Sequence, residues 1–274
     1  TNINQFLEQN YDIIVTVGFL LGEDTETFAG QNPDVDFAIV DYGYADPGDN
    51  LLGLTFSTDE ASFMAGYLAA GMSQTGKVGT FGGLPIPTVT IFMVGFQSGV
   101  EYYNAQNGTN VEVLGWDSAT GEGLFTNDFE STDNGRRAAE DLISEGADVI
   151  LPVAGPAGLG AGAAVQENEG VMLIGVDTDW CISAEEYCPV LLVSIMKNMD
   201  VAVFDAVQDS LNGEFQGGNY VGTLANGGVA LSPYNEFEDD VPQELADEID
   251  AIREEIIAGE LATGWDAYMA SQSE

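Results

Sequence analysis

A chain of 274 residues with 45% hydrophobic content carries enough apolar material for one large domain or two of ordinary size. Its 46 acidic residues face only five basic ones, there is no histidine, and the formal net charge is −41. A field of that sign repels nucleic acid and anionic membrane surfaces, and the missing histidine excludes His-based triads while leaving carboxylate or lysine chemistry open. The acidity runs along the whole chain without forming one block, the pattern of a surface kept soluble in a saline habitat and not of an acidic tail.

In chain order, TNINQFLEQNYDIIVTVG reads as the tail of a helix feeding a buried strand at 11–18, so a further strand and helix are expected upstream. Residues 1–15 show no basic n-region or cleavage site, and no apolar run approaches the about 18 residues that span a bilayer. Strands are predicted at DFAIVDYG (36–43) and LLGLTFS (51–57), then a helix over DEASFMAGYLAAGMSQ (59–74). Strand GKVGTFGG (76–83), helix TVTIFMVGFQSGVEYYNAQ (88–106) and strand NVEVLGWD (110–117) follow. Next come helix NGRRAAEDLISEG (134–146), strand ADVILPVAG (147–155), helix GLGAGAAVQENEG (158–170), and strands VMLIGVDT (171–178) and PVLLVS (189–194). The helix over NMDVAVFDAVQDSLNG (198–213) is expected to turn Met196, Met199, Val203 and Val207 to a core, with Lys197 near its start. A strand pair, YVGTLANG and GVALSPY, precedes a last acidic amphipathic helix, VPQELADEIDAIREEIIAGE (241–260).

Strands alternating with helices predict an α/β fold, and apolar runs without strict alternation predict parallel sheets covered on both faces. Such sheets bind ligands beyond the carboxyl ends of their strands. The candidate lining is therefore Gly18 and Phe19, Asp41 and Tyr42, Gly82 and Gly83, Gly155 to Gly160, and Asp177 and Asp179. Each has a plainer reading. Glycines at strand ends are more often turn formers than ligand cradles, and GPAGLG lacks the lysine and hydroxyl of a Walker loop. Strand alternation turns Asp177 and Asp179 to one side, where they line a site or cap a helix. Their spacing is not that of an EF-hand. Phe129, in a polar stretch ahead of a helix, is a local staple or a stacking surface for a planar ligand. Lys197 covers apolar surface, pairs with Asp200, or faces a ligand. Cys181 and Cys188, the only cysteines, suggest a loop disulfide and an oxidising setting, the alternative being two reduced thiols. A metal site on this pair would lack histidine or a second CxxC.

The segments GTFGGLPIPTVTIFMVGFQSGVEYYN, FESTDNGRRAAEDLISEGADVILPVAGPAGLGAGAAVQ, IGVDTDW and LLVSIMKNMDVAVFDAV occur in that order. Upstream, VTVGFLLG, FAIVDYGY and LTFSTDEASFMAGYLAA precede them. Together they resemble the basic membrane protein family of substrate-binding lipoproteins, the purine-nucleoside receptor type that feeds ABC transporters. The resemblance runs from residue 10 to residue 260.

What the resemblance implies is a type I periplasmic-binding-protein fold, two Rossmann-like α/β lobes joined by three crossings and closing by a hinge on a ligand. Lobe 1 is expected over 1–81 with 190–213, and lobe 2 over 82–189 with 214–274. In nucleoside-binding relatives the base stacks between two aromatic rings, while an aspartate and a lysine hold the ribose hydroxyls. Phe129 matches the second-lobe aromatic through its spacing to Gly135, Asp177 matches the acid ending the IGVD strand with Asp179 as a rival, and Lys197 matches the lysine of S-x-x-K-N. Gly155 falls on the glycine of the VAG turn, and Asp41 and Phe19 are first-lobe candidates. The family's opening strand, its D-x-S-F-N-type segment with the other stacking aromatic, its lipobox cysteine and its signal peptide do not occur in this sequence. The implied protein is a monomer outside the cytoplasm, without a cofactor, serving an ABC permease and touching the membrane only through a lipid anchor outside this chain. A purine nucleoside is the expected ligand, with a flavin or another small molecule as alternatives. The competing readings are a nucleoside-cleaving or glycosidase-like enzyme built on Asp177, Asp179 and Lys197, and a ligand sensor or surface protein.

Overall fold

The Val- and Ile-rich runs become strands and the amphipathic stretches between them become helices, in a computed structural model that describes residues 2–272. Residues 1, 273 and 274, the outermost ends of the two expected lobes, lie outside the described residues. The chain opens with α1 (Asn2–Glu8), β1 (Ile13–Val17), α2 (Gly22–Gln31), β2 (Asp36–Val40) and β3 (Leu51–Phe56). There follow α3 (Thr58–Met72), β4 (Lys77–Gly82), α4 (Pro87–Asn107), β5 (Glu112–Leu114), β6 (Trp116–Asp117), β7 (Glu122–Gly123) and α5 (Thr132–Ser144). Next come β8 (Val149–Val153), α6 (Leu159–Gln166), β9 (Met172–Asp177), α7 (Trp180–Ser183) and β10 (Leu191–Lys197). The chain ends through α8 (Met199–Asn212), β11 (Gly218–Gly222), β12 (Val229–Leu231), α9 (Gln243–Ile257) and α10 (Trp265–Ser271).

These elements form two compact units. The first holds the described residues up to Ser57 together with Asn198–Gly228; the second holds Thr58–Lys197 and the described residues from Val229 onward. In the first, a four-stranded sheet runs β1-β2-β3-β11 with every pair parallel. Its core gathers Ile3, Ile14, Phe37, Ile39, Tyr44 and Leu51. Asn50 holds this layer together, because its Nδ2 donates to the carbonyls of Ala29, Asn32 and Val35 and so serves the end of α2, which has no further helical N–H to bond. Helix α8 packs on β1, β2 and β3 through Ala202 and Ala206. That differs from the expected stripe: Met196, Met199, Val203 and Val207 are only half-buried, and Phe204 and Leu211 are exposed at 63% and 74%. The two alanines, four residues apart, let the helix lie close to the sheet where larger side chains would hold it off.

The second unit is built on a six-stranded sheet, β12-β10-β9-β8-β4-β5, parallel except where β12 runs against β10. Its boundaries differ from the lobes suggested above. Residues 58–81 pack here because β4 is hydrogen-bonded between β8 and β5, residues 190–197 because β10 pairs with β9 and β12, and 214–228 join the first unit because β11 pairs with β3. The predicted strand 110–117 is broken at Gly115, whose left-handed φ of 79° turns the chain into the β6–β7 hairpin. Helix α6 stops at Gln166, ahead of the predicted end at 170, and its predicted first residue, Gly158, instead closes a 3-10 turn over Gly155–Gly158. The short α2, α7 and α10, which the periodicity did not announce, complete the helical set.

Helices α3 and α4 touch backbone to backbone. A Cβ on Gly99 would lie 1.9 Å from the Phe63 carbonyl oxygen, and one on Gly66 2.0 Å from that of Phe96. Gly99→Ala is therefore expected to destabilise the fold by about 1–3 kcal/mol, because only a shift of the helix axes relieves the overlap. Gly30 in α2 has nothing within 4 Å of a built Cβ, so Gly30→Ala is expected to stabilise by about 0.5–1 kcal/mol. Urea unfolding of both variants beside the parent checks the contrast.

Candidate ligand-binding site

Parallel pairing brings the carboxyl ends of β4, β8, β9 and β10 to one edge of the second sheet. At the β4 end, Gly83 N donates to Val153 O at 2.9 Å and ties that turn to the end of β8. Phe129 lies across both ends. A Cβ on Gly83 would stand only 2.3 Å from its Cε1 and 2.5 Å from its Cδ1, so the ring rests directly on the Gly83 backbone. Its carbonyl accepts from Ala157 N at 2.9 Å, and a Cβ on Gly155 would come within 3.7 Å of it. Gly155 itself holds a φ of 53°, the left-handed turn that carries β8 into the 3-10 segment.

The loop that presents Phe129 is organised by Asp128, a residue that hydrophobic periodicity does not single out. One oxygen of Asp128 accepts from the backbone N–H groups of Glu130 and Ser131 at 2.9 and 2.6 Å, and the other from Asn134 Nδ2 at 2.6 Å. Ser131 caps α5 by accepting from Asn134 N. The Ser131 amide and the Asn134 side chain hold the Asp128 carboxyl below the usual carboxylate range. The signal was present in DFESTDN, where an aspartate precedes a Ser cap by three residues.

Lys197 is the last residue of β10, paired in register with Val229, where the sequence reading put it near the start of a helix. The strand is longer than predicted because β12 adds a partner along its last three residues. Lys197 is buried, 8% exposed; its Nζ stands 3.1 Å from Asp177 Oδ1 and 5.2 Å from the centroid of the Phe92 ring. Burying an ammonium costs several kcal/mol unless an opposite charge and hydrogen-bond acceptors replace water, and Asp177 supplies the charge. The Phe92 face adds a cation–π contact of about 0.5–2 kcal/mol.

Asp177 and Asp179 part company. Asp177 ends β9 with a left-handed φ of 71°, which breaks the alternation that would have set both carboxylates on one side, and its side chain is 39% exposed. Asp179 instead caps α7, accepting from Cys181 N at 2.9 Å. A disulfide joins Cys181 to Cys188 with a Cα separation of 4.5 Å, linking α7 to the 3-10 segment Glu185–Val190. Trp180 anchors the same loop: its N–H donates to Ser194 Oγ and its Nε1 to Val176 O.

Phe19 and Asp41 belong to the first unit. Phe19 opens a 3-10 turn after β1 and Asp41 follows β2 with a φ of 66°, both half-buried. Gly18 N donates to Val40 O and Asp41 N to Leu54 O, so the two residues stand at the ends of adjacent parallel strands. Among the described residues, no group of three or more His, Cys, Asp or Glu side chains is placed to hold a metal ion. The second unit thus presents an aromatic face, a buried ammonium and a half-exposed carboxylate. That combination suits a planar, hydroxyl-bearing ligand.

A family model described as ABC transporter substrate-binding protein, PnrA-like, matches residues 1–263. The chain is 29% identical over 275 residues to a CD4+ T-cell-stimulating antigen of Listeria monocytogenes, covering 95% of this chain and 72% of that protein. It is 30% identical over 245 residues to basic membrane protein B of Borreliella burgdorferi, covering 87% and 67%. Among solved structures, an ABC transporter solute-binding protein from Aeropyrum pernix K1 superposes with a TM-score of 0.82 at 27% identity, covering 94% of this chain and 78% of that one.

The Asp128 network makes the Phe129 loop acid-sensitive. Its carboxyl is held lower in the folded chain than in the unfolded one, so the folded state binds fewer protons. Its contribution is complete above the unfolded value of about 3.9 and is lost as pH falls through the lower folded value. Asp128→Asn is expected to lose less stability than the parent between pH 5 and pH 3, and to speed amide exchange at residues 129–131 at neutral pH. Urea titrations and hydrogen exchange read both effects; parallel pH curves would show that Asp128 does not hold the loop.

Proposed function

The chain belongs to the basic membrane protein family of PnrA-like ABC-transporter substrate-binding proteins, and from that premise we propose that it captures a purine nucleoside outside the cytoplasm for delivery to an ABC permease. The observation that carries the reading is the buried Lys197 ammonium held 3.1 Å from the half-exposed Asp177 carboxylate, at the strand-end edge where Phe129 lies on Gly83. A ribose offers two neighbouring hydroxyls, each both donor and acceptor. Lys197 donates to one oxygen, Asp177 accepts from the hydroxyl protons, and Phe129 stacks on the base.

Charge-assisted hydrogen bonds contribute about 1.5–3 kcal/mol each, and stacking about 0.5–1.5 kcal/mol. The ion pair also holds the Lys197 Nζ at the strand-end edge, 3.1 Å from Asp177 Oδ1, before ligand arrives. Gly155, without a side chain, leaves backbone open to the ligand, and Phe19 and Asp41 are the proposed contributors from the first unit. Asp179 is assigned to capping α7 and not to the ligand. The solute leaves as it arrived, with no bond made or broken. A monomer held at the membrane by a lipid anchor outside this chain completes the proposal.

Thermal unfolding against purine nucleosides, free bases and flavins tests the ligand class. A nucleoside at 100 times its Kd is expected to add about 2.7 kcal/mol of stability without releasing free base. Stabilisation by a flavin alone would reassign the solute, and release of base would make the protein an enzyme. Lys197→Met keeps the apolar stem against Phe92 and is expected to fold as the parent does while binding nucleoside about 10–150-fold more weakly. Unchanged affinity would remove Lys197 from the site.

A further inference from the structure

The first turn of α3 carries three buried side-chain oxygens without a hydrogen-bond partner: Thr58 Oγ1, Asp59 Oδ1 and Ser62 Oγ. Thr58 and Ser62 are completely buried and Asp59 is 6% exposed. Positions 58 and 62 stack one turn apart, and position 59 adjoins 62 on the same turn. The other Asp59 oxygen, Oδ2, accepts from Thr263 Oγ1, which brings the segment ahead of α10 against α3. On the α4 side the Gly95 backbone closes in, since a Cβ there would be 2.4 Å from Asp59 O.

The charge balance at this spot is unfavourable. Among the described residues Asp59 makes no ion pair with a lysine or arginine. Asp266, in the first turn of α10, adds a second negative charge nearby. Buried carboxylates are paired, metal-bound, protonated or, like Asp148, surrounded by several N–H and O–H donors, and buried hydroxyls without partners are rare in native folds. A proton on Asp59 would remove the charge and donate to at most one of the two hydroxyls, leaving the other without a partner. A water molecule would serve the hydroxyls and leave the charge.

We propose that the first turn of α3 binds a dehydrated alkali-metal cation, sodium or potassium, ligated by Asp59 Oδ1, Thr58 Oγ1 and Ser62 Oγ. Such an ion takes oxygen ligands, hydroxyl lone pairs are acceptors, and one carboxylate balances one positive charge. Burial raises the Asp59 pKa in the protein alone, as a carboxylate lacking its counter-ion requires. The site lies apart from Lys197 and Asp177 in sequence and role, and it ties the segment around Thr263 to α3.

Thermal unfolding at neutral pH in sodium, potassium and choline chloride of equal ionic strength tests this. All three salts screen the −41 charge alike, so a difference between them reports a fitted ion. The expected result is a saturable rise in Tm of about 2–4 °C in sodium or potassium over choline, with the better of the two identifying the ion. Asp59→Asn abolishes the difference and Thr58→Val, which keeps the shape, reduces it. Equal Tm values in the three salts overturn the proposal. So does a Thr58→Val protein more stable than the parent in every salt, since removing an unsatisfied hydroxyl then helps.

Discussion

The ion pair between Lys197 and Asp177 depends on a parallel register, and the candidate site is built around that ion pair. β9 and β10 run the same way with Met196 opposite Asp177, so the lysine one residue further on reaches the carboxylate at 3.1 Å without leaving its strand. An antiparallel partner would put the two residues at opposite ends of the sheet. β12, the one antiparallel strand of this sheet, extends β10 through Lys197 and so fixes the lysine backbone where a helix start would have left it freer. The hydrophobic interior of the sheet holds the register, and the register sets the chemistry at its edge.

Charge economy shapes the rest. With five basic residues for 46 acidic ones, few carboxylates have a cation to pair with, and those inside the fold accept from backbone instead. Asp128 gathers the Phe129 loop, Asp179 caps α7, and the buried Asp148 accepts from Ser73 Oγ and the amides of Gln74 and Thr75. Each uses the same physics, a carboxylate answering N–H groups that a turn or helix start leaves without partners. Arg136, by contrast, pairs with Glu140 and Glu167 at the surface, where such bridges contribute little to stability. Asp59 stands out because its Oδ1 is buried without a hydrogen-bond partner and a second negative charge lies nearby.

Close packing sets a second limit. Gly83 under Phe129 and Gly99 against α3 have no room for a Cβ, and neither demand shows in periodicity because glycine reads as a turn former wherever it stands. GTFGG closes a strand, as its composition predicts; that its last residue is the bed of an aromatic ring depends on a residue 46 positions later. In the same way Lys197 and Val229 become neighbours only when β12 returns to the sheet.

The sequence by itself determined the α/β alternation, the main strands and long helices within a few residues, and the family, because these rest on local apolar periodicity and on motifs in a set order. Phe129, Asp177 and Lys197 were legible as candidates for the same reason. Only the tertiary structure decided that Asp179 is a cap while Asp177 meets the lysine, that Lys197 ends a strand, that residues 58–81 join the second unit, and that α8 buries its alanines. Those outcomes turn on partners distant along the chain and on a left-handed turn at Asp177, and pairing of that range leaves no period in the residues that make it.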